Sequence, residues 1–141
     1  MKLPEPPHLR ELNRSDEQEC HLVLAGWLRT YVCERVTHIP RDVVIRLCKP
    51  VVERLVADSQ VVVACDHEQH DIVLGWVAFD GDVLHYVCVK PRWQRLGIAS
   101  FLLADFMKIP VTYTHRTQDG MRLPVPESWS YAPMARFSEA A

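Results

Sequence analysis

Apolar positions along this chain follow two successive periods. From Val23 to Leu55 they recur at three- and four-residue steps, and from Val61 to Val89 they come in short β-branched runs separated by polar turns. The first period predicts helices. Leu24, Leu28 and Tyr31 form one stripe with Val23 and Trp27 beside it. Ser15-Asp16-Glu17-Gln18 reads as the start of that helix, with Ser15 as N-cap and Gln18 completing a capping box. It should end before Pro40. Val44, Leu47, Val51 and Leu55 mark a second helix that Asp42 could cap, and Pro50 inside the pattern predicts a kink or a break.

The second period predicts a sheet. A short strand is expected from Leu9 to Asn13, after a proline-stiffened extended arm over residues 1–8. Val61–Cys65, Ile72–Phe79 and Val83–Val89 then read as an antiparallel meander. His67 to Asp71 form one connecting turn and Asp80-Gly81-Asp82 the other. Pro91 closes the third of these strands. Leu96 to Lys108 reads as a further helix, closed by Pro110, and Val111 to His115 as one more strand. Residues 118–141 are expected to be irregular, with at most a short turn of helix. No repeat and no domain boundary interrupts the chain, so 1–141 reads as a single α+β domain.

Composition narrows the function. Of 141 residues, 48% are apolar and 24% charged, enough to bury a core. Sixteen basic against eighteen acidic side chains give a net charge of −2. That balance predicts no broad nucleic-acid surface, and any anion site must be local. No apolar run approaches the roughly 18 residues of a membrane span. Lys2, Pro4, Pro6 and Pro7 stand where a signal peptide has its apolar stretch, which predicts a chain that stays in the cytoplasm. Five cysteines without a CxxC pair are expected to be reduced, buried thiols.

The chemistry concentrates between Val87 and Leu103. Gln94-Arg95-Leu96-Gly97-Ile98-Ala99 follows a strand and opens an apolar helix. Several backbone N–H groups would gather there at the positive end of the helix dipole, with no side chain at Gly97 to obstruct approach. Arg92 and Arg95 add charge suited to phosphate oxygens. The spacing is neither that of a dinucleotide fold nor that of a P-loop. An ordinary tight strand-to-helix turn is the plain alternative.

This segment resembles the signature Q/R-x-x-G-x-G/A of the GNAT superfamily of acetyl-CoA-dependent N-acyltransferases, with Ala99 in the last place. Val87-x-Val89-x-Pro91 before it and Leu102-Leu103 after it match as well, and so does the order of elements over residues 9–115. The tail from Glu127 to Pro133 is similar to compact GNAT-like proteins encoded by bacteriophages. The resemblance implies a mixed, mostly antiparallel sheet flanked by helices, with a shortened C-terminus. It implies acetyl-CoA as cosubstrate, with Val87, Cys88 and Val89 along its pantetheine arm. Gln94, Arg95, Leu96, Gly97, Ile98, Ala99 and Ser100 would lie at its pyrophosphate. No metal is called for. The fourth and fifth strands would splay apart to admit the thioester, and an amine would attack it directly.

Such a transfer needs a base and an acid. Many members carry a Glu in the fourth strand, but Val83 to Val89 has none, and His85 is its titratable base. Alternation puts His85 on the face of Val83, Val87 and Val89, where it could equally be a satisfied core histidine. Tyr131 is the candidate acid, or a packing tyrosine beside Trp129. His115 ends a strand and could face the cleft. Cys65-x-His67-x-x-His70 is metal-capable but also reads as a polar turn. Trp93 beside Arg92 and Arg95 could stack on a base or lid the helix start. The sequence therefore reads as an N-acetyltransferase acting on an amine, a small molecule or a protein. The alternative is a GNAT-shaped binding or structural protein without catalysis, such as a phage accessory or virion component. A homodimer or a protein partner would fit either reading; a nucleic acid or a membrane would not.

Overall fold

The computed structural model describes residues 5–34, 38–115 and 125–137. Its centre is a six-stranded sheet in sequence order: β1 (His8–Glu11), β2 (Gln60–Cys65), β3 (Val73–Asp80), β4 (Val83–Val89), β5 (Thr112–Tyr113) and β6 (Ser130–Tyr131). β1 to β4 pair antiparallel, while β5 runs parallel to β4 and β6 parallel to β5. The expected mixed, mostly antiparallel sheet is therefore present.

β2 explains why both faces of the sheet are covered. Val61, Val63 and Cys65 enter one apolar cluster with Trp27, Val52 and Trp76, whereas Val62 and Ala64 enter another with Ile98, Leu102 and Phe106. A strand buried on both sides reads as a continuous apolar run. α1 (Glu17–Glu34) and α2 (Arg41–Asp58) supply the first cluster, and α3 (Ile98–Leu103) the second. Each fully buried Val or Leu contributes about 1.5–3 kcal/mol.

Local chemistry sets the helix ends. Asp16, rather than Ser15, caps α1: its Oδ1 accepts the N–H groups of Gln18 and Glu19 at 3.0 and 3.2 Å. Asp42 does not cap α2, which begins after Pro40 with no side-chain cap and runs through Pro50 without a break. Arg14 closes the far end of α2, donating to the carbonyls of Val56 and Ser59 at 2.7 Å each. Arg10 joins β1 to α1 through Glu19 at 2.7 Å.

Four expectations need correction. His8, expected within the N-terminal arm, already pairs with Cys65, and residues 1–4 of that arm lie outside the described residues. α3 stops at Leu103, and Phe106–Lys108 form a separate 3-10 turn. Pro110 has no N–H to give the Phe106 carbonyl, which instead accepts from Ile109 N and from Trp129 Nε1 at 3.1 Å. The described part of the C-terminal segment, 125–137, holds the strand β6 that was not expected, beside the short helical turn that was, a 3-10 helix over Pro133–Phe137. Among the described cysteines, all thiols, Cys65 is buried while Cys20, Cys48 and Cys88 are partly exposed. No helix among the described residues is long and apolar enough to cross a membrane.

Candidate functional site

β4 and β5 meet only briefly. Val83 pairs with Thr112 and Leu84 with Tyr113, and just beyond these pairs Thr114 N bonds Leu84 O at 3.1 Å. β4 then continues to Val89, about 13 Å past His85 at the usual strand rise. Among the described residues the pairing of the two strands thus ends at His85 and Thr114, the apex of a fork whose described arm is the rest of β4.

A β-bulge marks that apex. Ala78 pairs with Tyr86 and Phe79 with Leu84, so His85 is an extra residue without a partner on β3. The bulge overturns the simple alternation expected for this strand. Leu84, Val87 and Val89 pack together on the α3 side, while Tyr86 and Cys88 pack toward α1 and α2. His85, 6% exposed, turns its Nδ1 to Thr114 Oγ1 at 3.0 Å. On its other side Thr114 Oγ1 meets His115 Nδ1 at 2.6 Å. His115 packs edge-on against Trp27, ring centres 5.6 Å apart, and Trp27 stacks on Tyr86 at 5.1 Å. Two imidazoles on neighbouring strands are therefore joined through one buried hydroxyl.

The surroundings keep both rings neutral. Burial pulls the His85 pKa down, Asp80 pushes it back up, and Arg136 and Arg54 lower it further. His115 is pulled down to about 3 by burial first, then by Arg136 and His85, with a backbone hydrogen bond from His85 acting in the opposite sense. An imidazole without its proton at neutral pH is the form a general base requires.

The far end of β4 leads into the motif turn. Lys90 N bonds Leu74 O at 2.9 Å, Pro91–Trp93 make one 3-10 turn, and the Gln94 side chain donates to Val89 O at 3.1 Å. Arg95 then adopts φ 66° and Gly97 φ 87°, both in the left-handed region. A Cβ at Gly97 would meet nothing within 4 Å, so the space over this turn is open. The N–H groups of Ile98, Ala99 and Ser100 precede the first helical bond, Phe101 N to Gly97 O, and await acceptors. Lys90, Arg92 and Arg95 stand in a stretch with no carboxylate before Asp105. Open backbone, leading N–H groups and unopposed cations fit a pyrophosphate. Trp93 is half-buried and packs into the α3 cluster with Arg92 over its ring, which is the lid arrangement.

Among the residues singled out from sequence, His85 and His115 come together at the apex, and Gln94 to Ser100 come together at the turn. Val87 to Val89 connect the two places. Tyr131 is set apart. It pairs with Tyr113 across β6 and β5, ring centres 5.3 Å apart, and Tyr113 packs on the α3 side. Thr114 is the member that sequence reading missed, because a lone threonine at a strand end carries no signal. The segment from Cys65 to His70 is a turn, held by Asp66 accepting from Glu68 and Gln69 N–H, with His70 stacked on His8 at 3.9 Å. No group of three metal-capable side chains gathers among the described residues.

Solved structures share this architecture. A GCN5-related N-acetyltransferase from Rhodopseudomonas palustris matches with a TM-score of 0.52 at 10% identity, over 77% of this chain and 68% of that one. The fold is the GNAT fold. A proposed acetyl transferase from Pyrococcus furiosus matches at 0.53 and 15% identity, over 72% of each chain. The apo form of YjaB from Escherichia coli matches at 0.50 and 17%, over 72% of this chain and 64% of its own. No protein-family model and no curated protein matches the chain. All three similar structures come from a bacterium or an archaeon and lend no support to a phage-encoded form. Within the GNAT fold the sequence motif occupies β4, the Gly97 turn and α3, the elements to which its resemblance pointed.

Proposed function

We propose that this protein is an acyltransferase that moves an acetyl group from acetyl-CoA to an amine. The observation that carries this reading is the fork. β4 leaves β5 at a buried histidine and ends at an open turn of leading N–H groups. The strand edge from Val87 to Val89 would take the pantetheine arm, and the backbone from Arg95 to Ser100, with the Arg95 side chain, would take the pyrophosphate. Acetyl-CoA, when bound, supplies the thioester that an amine attacks.

The chain's own residues supply proton transfer and orientation. His85 is the base of this reading, neutral at working pH and seated where the strands part. Tyr131 is the candidate proton donor to the leaving sulfur, one strand beyond the fork. Holding amine and thioester together at the apex removes much of the entropy barrier to their encounter. The thiols fit a reducing, cytoplasmic setting. A non-catalytic GNAT-shaped binding protein accounts for the fold but gives no role to the paired histidines, and we do not favour it.

Calorimetric titration of the reduced protein with acetyl-CoA tests the reading. Saturable binding is expected for the native chain. It should be lost in Gly97→Trp, which fills the open space, and kept in Gly97→Asn, since Asn tolerates the left-handed backbone. Absence of binding by the native chain at millimolar acetyl-CoA, or equal binding by Gly97→Trp, would overturn it.

A further inference from the structure

The apex of the fork is closed by side chains whose protons can be placed. Thr114 is fully buried, and its Oγ1 bonds His85 Nδ1 at 3.0 Å and His115 Nδ1 at 2.6 Å. A hydroxyl has one proton to donate. If both rings are neutral, the two Nδ1 atoms must then differ: one accepts the Thr114 proton, and the other donates N–H to its oxygen.

The two distances decide which. A hydroxyl donor makes the shorter kind of bond, and an N–H donor to oxygen the longer. The 2.6 Å contact is the one in which Thr114 donates, so Nδ1 of His115 is bare and accepts the Thr114 proton. The 3.0 Å contact has the length of an N–H···O bond. The Thr114 oxygen is then left to accept Nδ1–H from His85, and the lone pair of His85 is placed on Nε2. No described residue takes that nitrogen.

We propose that Thr114 and His115 are positioning residues that hold His85 as the Nδ1–H tautomer, leaving Nε2 as the base toward the amine acceptor. This rests on the acyl-transfer reading. The acceptor's ammonium gives one proton to His85 Nε2, which frees the nitrogen lone pair. The N–C bond forms as the C–S bond breaks with its electron pair on sulfur, and a second amine proton ends on that sulfur, directly or by way of Tyr131. His85 returns its proton to solvent. The charged groups facing the pair are Asp80 at the end of β3, Arg54 of α2 and Arg136 of the C-terminal segment.

Long-range nitrogen–proton NMR correlations on the full 15N-labelled chain, without acetyl-CoA at pH 7.5, read each tautomer directly. His85→Gln and His115→Gln assign the two rings. The expected result is Nδ1–H on His85 and Nε2–H on His115. Thr114→Ser should keep this pattern, and Thr114→Val should release His85 toward the Nε2–H form that dominates in a free histidine side chain. In an acetyl-transfer assay Thr114→Val should lower kcat about tenfold or more and displace the acidic limb of the pH profile, with Thr114→Ser restoring both. Two like tautomers, a protonated ring at pH 7.5 or a reversed pair would overturn the positioning role, even with acetyl transfer intact. Opposed tautomers in a protein that binds no acetyl-CoA would instead overturn the acyl-transfer reading and the base role with it.

Discussion

The Arg136 guanidinium donates to the main-chain oxygen of Thr114, fastening the C-terminal segment to the strand end that carries the paired histidines. Its Nε also donates to Pro133 O at 2.9 Å, and Arg54 of α2 holds the Arg136 carbonyl at 2.7 Å. One side chain thus both anchors the segment and repels protons from His85 and His115. Arg136→Met should cost about 1.5–3 kcal/mol, the range for a hydrogen bond to a charged group. The same substitution should move both histidine pKa values upward, as followed by NMR titration. Unmoved histidines would show that Arg136 serves only as an anchor.

Acid should loosen this protein before its carboxylates titrate. His115 has a folded pKa of about 3 against an ordinary value of 6.5. Between those values the unfolded chain binds a proton that the folded chain refuses, so stability rises with pH across that window. The stability is fully present above about pH 6.5 and is lost as pH falls toward 3. The slope is on the order of 1.4 kcal/mol per pH unit for one proton, and His85 acts with the same sign. Thermal unfolding from pH 7.5 to 5 should show a falling midpoint, flattened in His115→Phe. A midpoint unchanged over that range in the native chain would contradict the assignment.

Arg95 holds a conformation that costs a non-glycine residue roughly 1–2 kcal/mol. Arg95→Gly should therefore unfold at the same or a higher temperature, and Arg95→Ala should not gain. Both should bind acetyl-CoA more weakly, because both lose the guanidinium. Binding by Arg95→Gly equal to that of the native chain would assign Arg95 to the turn alone.

Tyr131 is 37% exposed and keeps its ring contact with Tyr113 as phenylalanine. Tyr131→Phe should change stability by less than about 0.5 kcal/mol, as surface substitutions generally do. If its hydroxyl protonates the leaving sulfur, kcat should fall while KM for acetyl-CoA stays. An unchanged kcat would pass that proton to water.

Long, strongly patterned elements were legible in the sequence. β4 spans Val83–Val89 with the expected bounds, although the bulge at His85 resets its faces, and the Gly97 turn stands where the motif puts it. Elements decided by distant contacts were not legible. β6 is two residues long, too short for any period, and exists because Ser130 N reaches Val111 O at 2.8 Å. The 3-10 turn at Phe106–Lys108 is separate from α3, and its first carbonyl accepts from Trp129 far along the chain, a contact no local pattern announces. At the site, His85 and His115 were visible as titratable groups. Their link was not, since Thr114 acts only once β5 has carried it to the apex of the fork.

The bulge has a consequence for what this strand would be without it. Without His85, Leu84, Tyr86, Val87, Cys88 and Val89 would alternate faces without interruption, and their present partners on β3 would form an unbroken ladder. Deleting that one residue would leave a more regular strand and remove the imidazole, so on the acyl-transfer reading the residue that breaks the ladder is the same one that supplies the base.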